Sequence, residues 1–448
     1  MPYILNTNEE IKQMLKAIGV DSVEELYSAL PPEIKLKESL NLPSGLSEFD
    51  VKKKVTALSE RNKPLEKYNS FLGAGCYDHY IPAAVSFILS RSQFLTAYTP
   101  YQSECSQGIL QAIYEYQSYI CLLTGMDVSN ASLFDGASAL AEAVLMTLRI
   151  SRKKRVVISS TIHPEYKETL KTYLSGFDFM IEEFVPKSDG FFDLEKLRDT
   201  LRNDVGCVAF QSPNFLGLIE DAEKLSELAK KVQALTVMVT NPLSLAILKD
   251  PARSGVDIVC GDGQPLGGSL NFGGPSLGFI ATKNENTRQM PGRIVGKTED
   301  KKGDIAYCLT LQTREQHIRR EKATSNICSN QSLNAIGAAV YLSLIGSEGL
   351  KEVALNSFRN TQYLYQRLKE VRGVKIPFEP RFFNEFVWEV ENAPKIMNAF
   401  YDKNIIAGYF LGESFPQYKN SILSCCTEKK KKSEIDEMVF SLAEVLRG

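Results

Sequence analysis

The chain has 448 residues, of which 44% are apolar and 24% are charged, and its 52 basic side chains nearly balance 54 acidic ones. This length suits one large domain with a smaller one attached, and this charge gives no indication of nucleic-acid binding. Nine cysteines without metal-ligand spacing indicate reduced thiols, and only three histidines argue against a metal centre or a Ser/His/Asp hydrolase.

Residues 1–60 predict an N-terminal arm of short helices. Helical apolar spacing covers residues 9–17 and 23–30, and Pro31-Pro32 ends the second helix. The first ten residues lack the basic and apolar segments of a secretory signal, and no run approaches the ~18 apolar residues of a membrane helix. We therefore expect a cytoplasmic protein without a membrane partner.

Residues 61–330 predict a large α/β domain. Short β-branched runs alternate with amphipathic stretches, and the predicted strands are 156–159, 179–184, 205–211, 235–239, 256–259 and 277–281. Between these strands, helices are predicted at 165–174, 194–201 and 222–232, with Glu220-Asp221 as the cap of the last. The order is read as βαβ throughout, so crossover helices should cover a mainly parallel sheet.

Residues 331–448 predict a smaller C-terminal α+β domain. A helix is expected at 333–344, and short strands are expected around 385–390 and 422–427. Cys425 and Cys426 are adjacent in an apolar run, which favours buried strand residues over redox chemistry.

A small-residue turn opens the predicted helix 139–148. Its residues are Gly136, Ala137 and Ser138, preceded by Asp135. Backbone N–H groups and the positive end of the helix dipole favour an anion at such a turn, so it can bind phosphate. Asp135 or Ser138 can equally serve as a simple helix cap, and this segment alone leaves both alternatives open.

His163, followed by Pro164, comes after the predicted strand 156–159. Open α/β sheets bind ligands at the carboxyl ends of their strands, where a flat imidazole can stack on a planar cofactor. A structural role is nevertheless the more common one for a single histidine at a strand end.

Three further segments concentrate polar or glycine residues. Residues 98–108 place aromatic, hydroxyl, amide and carboxylate groups around a proline turn, which suggests ligand contact. Residues 261–275 are so rich in glycine that the backbone must bend sharply or approach another backbone closely. Residues 312–328 run from a charged helix into a Thr-Ser-Asn turn, although the charges can also form a solvated face and Thr324 or Ser325 a helix cap.

Four strings in this order resemble one protein family over the whole chain. They are TAYTPYQ at 96–102, LTGMD at 123–127 with DGA at 135–137, GDGQPLG at 261–267 and REKATSNI at 320–327. They resemble the alpha subunits of the two-subunit glycine decarboxylase, in the P-protein family of the glycine cleavage system. The resemblance implies an α/β fold of the aspartate-aminotransferase type, which is fold type I of the pyridoxal-phosphate enzymes.

The sequence lacks two groups that an active enzyme of this fold needs. These are a lysine for the Schiff base and a carboxylate that keeps the pyridine nitrogen protonated. No lysine occurs between Lys249 and Lys283, and Gln264-Pro265 stands where a His-Lys pair is expected. Asn241 follows the strand that should end in the carboxylate. We therefore expect no pyridoxal phosphate bound covalently to this chain.

The family offers a role for such a chain as a degenerate copy beside a catalytic beta subunit that binds pyridoxal phosphate. The complex would decarboxylate glycine and transfer the aminomethyl group to the lipoyl arm of H-protein. Whether it is a heterotetramer or a simple pair stays open. By resemblance, the residues that face the partner's active site are Tyr98, Thr99, Tyr101, Gln102, Glu104, Lys322, Thr324 and Asn326. The remnants of a vacated pocket would be Gly136, Ala137, Ser138, His163, Asn241 and Gln264, and no metal is expected.

Two other functions stay open. One is a self-sufficient pyridoxal-phosphate lyase or aminotransferase that uses Lys249 or Lys283, which would place the lysine unusually. The other is a non-catalytic pseudoenzyme whose partner has been lost.

Overall fold

The computed structural model describes residues 6–38 and 40–447. Residues 1–5 and 39 of the predicted arm, and residue 448 of the predicted C-terminal domain, lie outside the described residues. The chain divides into two compact units, residues 1–63 and 64–448. The domain boundary near residue 330 stays a prediction.

The first unit contains two helices, within its described residues. Helix α1 is Asn8–Ile18, and Thr7 caps it in a capping box with Glu10. Helix α2 is Glu48–Ser59. The prediction of a helix over 23–30 is wrong, because only the 3-10 turn Glu24–Tyr27 forms there. That turn buries no residue, so no packing stabilises a longer helix.

Regular elements follow closely along the second unit. Its helices are α3 Ala83–Leu89, α4 Ser92–Leu95, α5 Gln107–Thr124, α6 Gly136–Ser151, α7 Pro164–Leu174, α8 Leu194–Thr200, α9 Ala222–Lys231, α10 Gln316–Arg319, α11 Ser332–Lys369, α12 Ala393–Tyr401 and α13 Lys432–Val445. Its strands are β1 Asn69–Ser70, β2 Val128–Ser129, β3 Arg155–Ser159, β4 Met180–Phe184, β5 Val205–Gln211, β6 Leu235–Val239, β7 Ile258–Asp262, β8 Gly278–Thr282, β9 Ile294–Glu299, β10 Ile305–Thr310, β11 Val374–Lys375, β12 Glu385–Val390, β13 Ile405–Ile406, β14 Tyr409–Phe410 and β15 Ser421–Cys425.

The main sheet is mixed but mainly parallel, as predicted. Among the described residues it has seven strands in the order β2-β8-β7-β6-β5-β3-β4. Strands β4, β3, β5, β6 and β7 run parallel, whereas β8 is antiparallel to β7 and to β2. The prediction of βαβ order throughout is therefore wrong at its last two steps. Only the 3-10 turn Pro242–Ala246 lies between β6 and β7, and the glycine-rich segment returns the chain from β7 to β8 without a crossover helix.

Both faces of this sheet are buried in separate hydrophobic cores. Along β5, Val208 and Phe210 enter one core, and Cys207 and Ala209 enter the other. Helices α6 and α7 cover the second core, and α5, α8, α9 and α11 cover the first. Alternating side chains of a strand point to opposite faces, so continuous apolar strands need helices on both sides.

A second, antiparallel sheet lies toward the C-terminus. Its order is β11-β12-β15-β14, and α12, α13 and the end of α11 pack on it around the buried Trp388. Cys425 and Cys426 are both buried here as free thiols.

Helix α11 contributes to one core of the main sheet and to the core of the second sheet. By length and apolarity alone it is the one helix among the described residues that could cross a membrane. It breaks at Gly346, where φ is +62°, and its two ends contribute Tyr341 to the core of the main sheet and Leu364 to that of the second sheet. Such an apolar, largely buried helix is also typical of a protein core.

Glu385 joins the second sheet to the segment that leads into the main domain. It is buried at the start of β12, where its carboxyl accepts hydrogen bonds from the Tyr77 hydroxyl at 2.8 Å and the Ala74 N–H at 2.9 Å. Burial raises the pKa of Glu385 to about 7, although both hydrogen bonds oppose this. The carboxyl is therefore largely neutral below neutral pH.

We predict that Glu385 makes the protein less stable as the pH rises from about 5 to above 7. A folded-state pKa above the unfolded value means that the folded chain holds the proton more tightly, so deprotonation costs up to about 3 kcal/mol. Glu385→Gln imitates the neutral acid, so the free energy of unfolding of this variant should fall less as the pH rises. Urea unfolding across that pH range measures the difference. The exposed Glu379→Gln is the control, and an unchanged slope in Glu385→Gln would contradict the assignment.

Candidate functional site

A small pocket lies at the carboxyl ends of the parallel strands. Its lining residues come from the ends of β5, β6 and β7, from the start of α7 and from the segment before α3: Gly75, Tyr77, His163, Tyr166, Gln211, Pro213, Val239, Thr240, Asn241, Asp262, Pro265 and Asn384. This is the edge where open α/β sheets bind ligands. The cavity is only about 30 Å³, far below the roughly 300–1,000 Å³ of small-molecule pockets.

The N-terminus of α6 is capped twice by carboxylates of this chain. The Asp135 side chain accepts from the Ser138 N–H at 2.7 Å, and the Ser138 hydroxyl bonds back to Asp135 in a capping box. The Asp262 side chain, from the end of β7, accepts from the Gly136 N–H at 3.1 Å. Two of the first N–H groups of α6, those of Gly136 and Ser138, are thus engaged by carboxylates of the chain.

Asp262 is a site residue that the sequence analysis missed. Its other oxygen accepts from the Gln264 N–H at 2.9 Å and from the Ser276 hydroxyl at 2.5 Å. Burial raises the pKa of Asp262, while these hydrogen bonds and that from Gly136 lower it. The signal in the sequence was a carboxylate at a strand end directly before a glycine-rich turn.

His163 is held as a neutral imidazole. Its Nε2 lies 3.0 Å from the Ala74 carbonyl, and its Nδ1 accepts from the Glu165 N–H at 3.2 Å, so Nε2 carries the proton. Burial lowers the pKa of His163. The Tyr166 ring stacks on the imidazole with centroids 4.6 Å apart and planes 17° apart, and Phe215 meets it edge-on. A tyrosine of the chain itself therefore occupies one face of this histidine.

Asn241 and Gln264 take different places. Asn241 lines the pocket, where its Oδ1 accepts from the Leu243 N–H and its Nδ2 has no hydrogen-bond partner among the described residues. Gln264 is buried and turned away, and its amide bonds both backbone groups of Tyr77 and the Gly268 carbonyl. Those bonds direct the Gln264 side chain toward the neighbouring glycine-rich loop, and its place in a vacated cofactor pocket stays a prediction.

The residues of this pocket do not fit pyridoxal phosphate. Asp262 takes the Gly136 N–H, Tyr166 covers the imidazole, and no lysine lies in the lining. The two lysines considered for a self-sufficient enzyme are engaged elsewhere. Lys249 pairs with Glu223 at 2.7 Å, and Lys283 pairs at 2.9 Å with Asp257, which precedes β7 and so lies at the end of that strand away from the pocket.

A second polar cluster surrounds Tyr101. Arg293 donates to the Tyr101 hydroxyl at 2.7 Å, and its guanidinium lies 5.2 Å from the centre of the ring. Arg293 also pairs with Glu315 at 3.4 Å, and the His317 ring meets Tyr101 edge-on at 5.7 Å. Arg293 and Glu315 are buried, whereas 45% of Tyr101 is exposed. The sequence analysis missed Arg293, which no local motif distinguishes.

The segments 98–104 and 312–326 therefore meet through this cluster. Thr324 donates its N–H to the Arg314 carbonyl at 3.0 Å, and Ser325 accepts from the Ile327 N–H, which shapes the predicted turn. Of the other predicted partner-facing residues, Thr99 and Thr324 are half-buried, and Tyr98, Gln102, Glu104, Lys322 and Asn326 are exposed. We call the exposed residues of this set, together with Tyr101 and the half-buried Thr324, the tyrosine face.

Comparison with known proteins gives consistent matches over the full chain. The model of the glycine cleavage system P-protein family matches residues 1–442. A Carboxydothermus hydrogenoformans protein named probable glycine dehydrogenase (decarboxylating) subunit 1 is 49% identical over 100% of both chains. A Desulfitobacterium hafniense protein of the same name is 47% identical over 99% of this chain and 100% of the relative.

Solved structures agree with these matches. A crystal structure of glycine decarboxylase (P-protein) of the glycine cleavage system, in inhibitor-bound form, has a TM-score of 0.92 and 40% identity over 99% of this chain and 100% of that chain. A sphingosine-1-phosphate lyase of Burkholderia pseudomallei, 13% identical, has a TM-score of 0.67 over 93% of this chain and 95% of that one, which shows the fold alone.

We predict that Gly136→Ala lowers the free energy of unfolding by about 1–3 kcal/mol, the usual cost of overpacking. A Cβ at Gly136 would overlap the Tyr166 hydroxyl and ring, which the stack on His163 holds in place. Urea unfolding measures the loss. Gly176→Ala is the matched control because a Cβ there meets nothing within 4 Å. Equal effects of both substitutions would show that Tyr166 does not close on the α6 N-terminus.

Proposed function

Since the chain belongs to the glycine cleavage system P-protein family, we propose that it is the subunit of glycine decarboxylase that supports the partner's active site without binding the cofactor itself. The observation that carries the proposal is the contrast between two polar regions of the chain. The pocket at the sheet edge is filled by Asp262 and Tyr166, whereas the tyrosine face is built and left exposed.

Pyridoxal phosphate belongs, in this proposal, to the beta subunit. When bound there it supplies the electron sink for decarboxylation. Support comes from this chain's lack of a lysine between Lys249 and Lys283 and from the neutral Asn241 at the end of β6. The substrate would be glycine, the acceptor the lipoyl arm of H-protein and the location the cytoplasm, with no membrane or nucleic-acid partner.

The tyrosine face is the surface that would complete the partner's site. Tyr101 is the best-positioned member, because Arg293 fixes both its hydroxyl and the face of its ring. A buried guanidinium beside Glu315 keeps this tyrosine in one orientation without relying on a mobile loop. Thr324 would present its hydroxyl from the neighbouring turn, and Lys322 would add positive charge at the boundary.

The two rival functions find less support. A self-sufficient lyase would need Lys249 or Lys283, and both are paired with carboxylates outside the pocket lining. A pseudoenzyme without a partner would leave the exposed aromatic side chains Tyr98 and Tyr101, which lie three residues apart on one polar segment, with nothing to bind.

We predict that the purified chain does not catalyse glycine-dependent exchange of labelled bicarbonate, whereas its mixture with the beta subunit does, in the presence of H-protein and pyridoxal phosphate. The chain alone should also show no visible band from a lysine Schiff base. Exchange by this chain alone would overturn the proposed role. Inactivity of the mixture, with each protein folded, would favour the pseudoenzyme.

We predict that Tyr101→Phe and Thr324→Ala each lower the exchange rate of the complex without preventing assembly. Tyr101→Phe removes the hydroxyl that Arg293 holds, and Thr324→Ala removes the hydroxyl of a half-buried side chain in the turn. Rates and assembly are measured by the exchange assay and by size-exclusion chromatography.

The matched controls are Tyr363→Phe and Thr172→Ala. Tyr363 also loses a hydrogen bond, in its case to Asp436, and Thr172 is an exposed threonine on α7. Wild-type turnover in both test variants would contradict the role of the tyrosine face.

A further inference from the structure

Three hydrogen-bond donors converge on the Asp262 carboxylate, one from the start of α6 and two from the loop between β7 and β8. They are the Gly136 N–H at the start of α6, the Gln264 N–H in the turn after β7 and the Ser276 hydroxyl before β8. The three distances are 3.1, 2.9 and 2.5 Å. Such a set of donors is suited to an anion, and here the anion is part of the chain.

The position of Gly136 at the start of a long helix also favours an anion. Helix α6 has 16 residues, so its first N–H groups carry the positive end of a full helix dipole. Asp135 satisfies the Ser138 N–H and leaves the Gly136 N–H to Asp262. Because Gly136 has no Cβ, Tyr166 packs directly over this helix end. A bound phosphate would have to displace a carboxylate and a stacked aromatic ring together.

We infer that these three donors form an anion site beside the pocket, which the chain occupies with its own side chain, so that Asp262 stands where a free carboxylate or phosphate ion would bind. Asp262 and Tyr166 then prevent a phosphorylated cofactor from binding to this chain. The lack of a lysine is a second, separate obstacle. This property belongs to the chain alone and does not depend on its role beside the beta subunit.

Thermal unfolding of the full chain tests the inference. Asp262→Ala should lower Tm, because it leaves three donors without their acceptor. Added formate, which restores a carboxylate, should raise Tm of Asp262→Ala by several degrees in a saturable way, as expected for a ligand that binds only the folded state. Inorganic phosphate is the second probe and reports whether the opened space takes a larger anion. Sodium chloride at equal ionic strength controls for salt.

Two further variants test which groups bind the added anion. Asp262→Asn keeps the volume and one acceptor, so it should gain no stability from formate. Adding Ser276→Ala to Asp262→Ala removes one donor and should weaken formate binding roughly tenfold, the usual value of a hydrogen bond to a charged group. If Asp262→Ala does not fold, equilibrium dialysis of radiolabelled formate or phosphate against Asp262→Ser replaces the Tm measurement.

Each outcome either supports or overturns the inference. A response of Asp262→Ala or Asp262→Ser to formate, phosphate or both, without a response of the wild type, supports the inference. An equal response of the wild type, or no response of either variant to either ion, overturns it. Because the readout is the isolated chain, neither result bears on the exchange assay that tests the subunit role.

Discussion

Burial of the main sheet on both faces is the constraint on which the rest of the structure depends. Buried apolar residues on both faces of strands such as β5 require one core on each side, and helices must cover both. The parallel strands then end at one edge of the sheet. That edge collects the polar residues that follow each strand, including His163, Asn241 and Asp262.

The polar groups at this edge form hydrogen bonds mostly with other groups of the same chain. Asp262 accepts the donors of the α6 N-terminus, and Gln264 bonds the backbone of Tyr77. Glu385 bonds the Tyr77 hydroxyl from the second sheet. In a pyridoxal-phosphate enzyme the cofactor supplies a phosphate and a planar ring at such an edge. Here the Asp262 carboxylate bonds the α6 N-terminus and the Tyr166 ring stacks on His163.

The tyrosine face shows the opposite arrangement. Arg293 and Glu315 are buried beneath Tyr101. Removing water from this charged pair costs free energy, which the hydrogen bonds in the structure only partly offset. Among the described residues, two guanidinium nitrogens of Arg293 and one Glu315 oxygen lack hydrogen-bond partners. A costly buried pair under an exposed aromatic side chain fits a surface whose function lies in the assembled complex.

The sequence by itself determined the strands and helices that periodic burial specifies, and β5 and β6 match the predicted bounds. It also determined the family, and it showed that the expected lysine is absent. Only the tertiary structure decided that β8 returns antiparallel, that Gln264 turns away from the pocket and that Asp262 fills it. The physical reason is distance along the chain. Periodicity is a local property, whereas Asp262 and Gly136 are 126 residues apart and meet only when the sheet has formed.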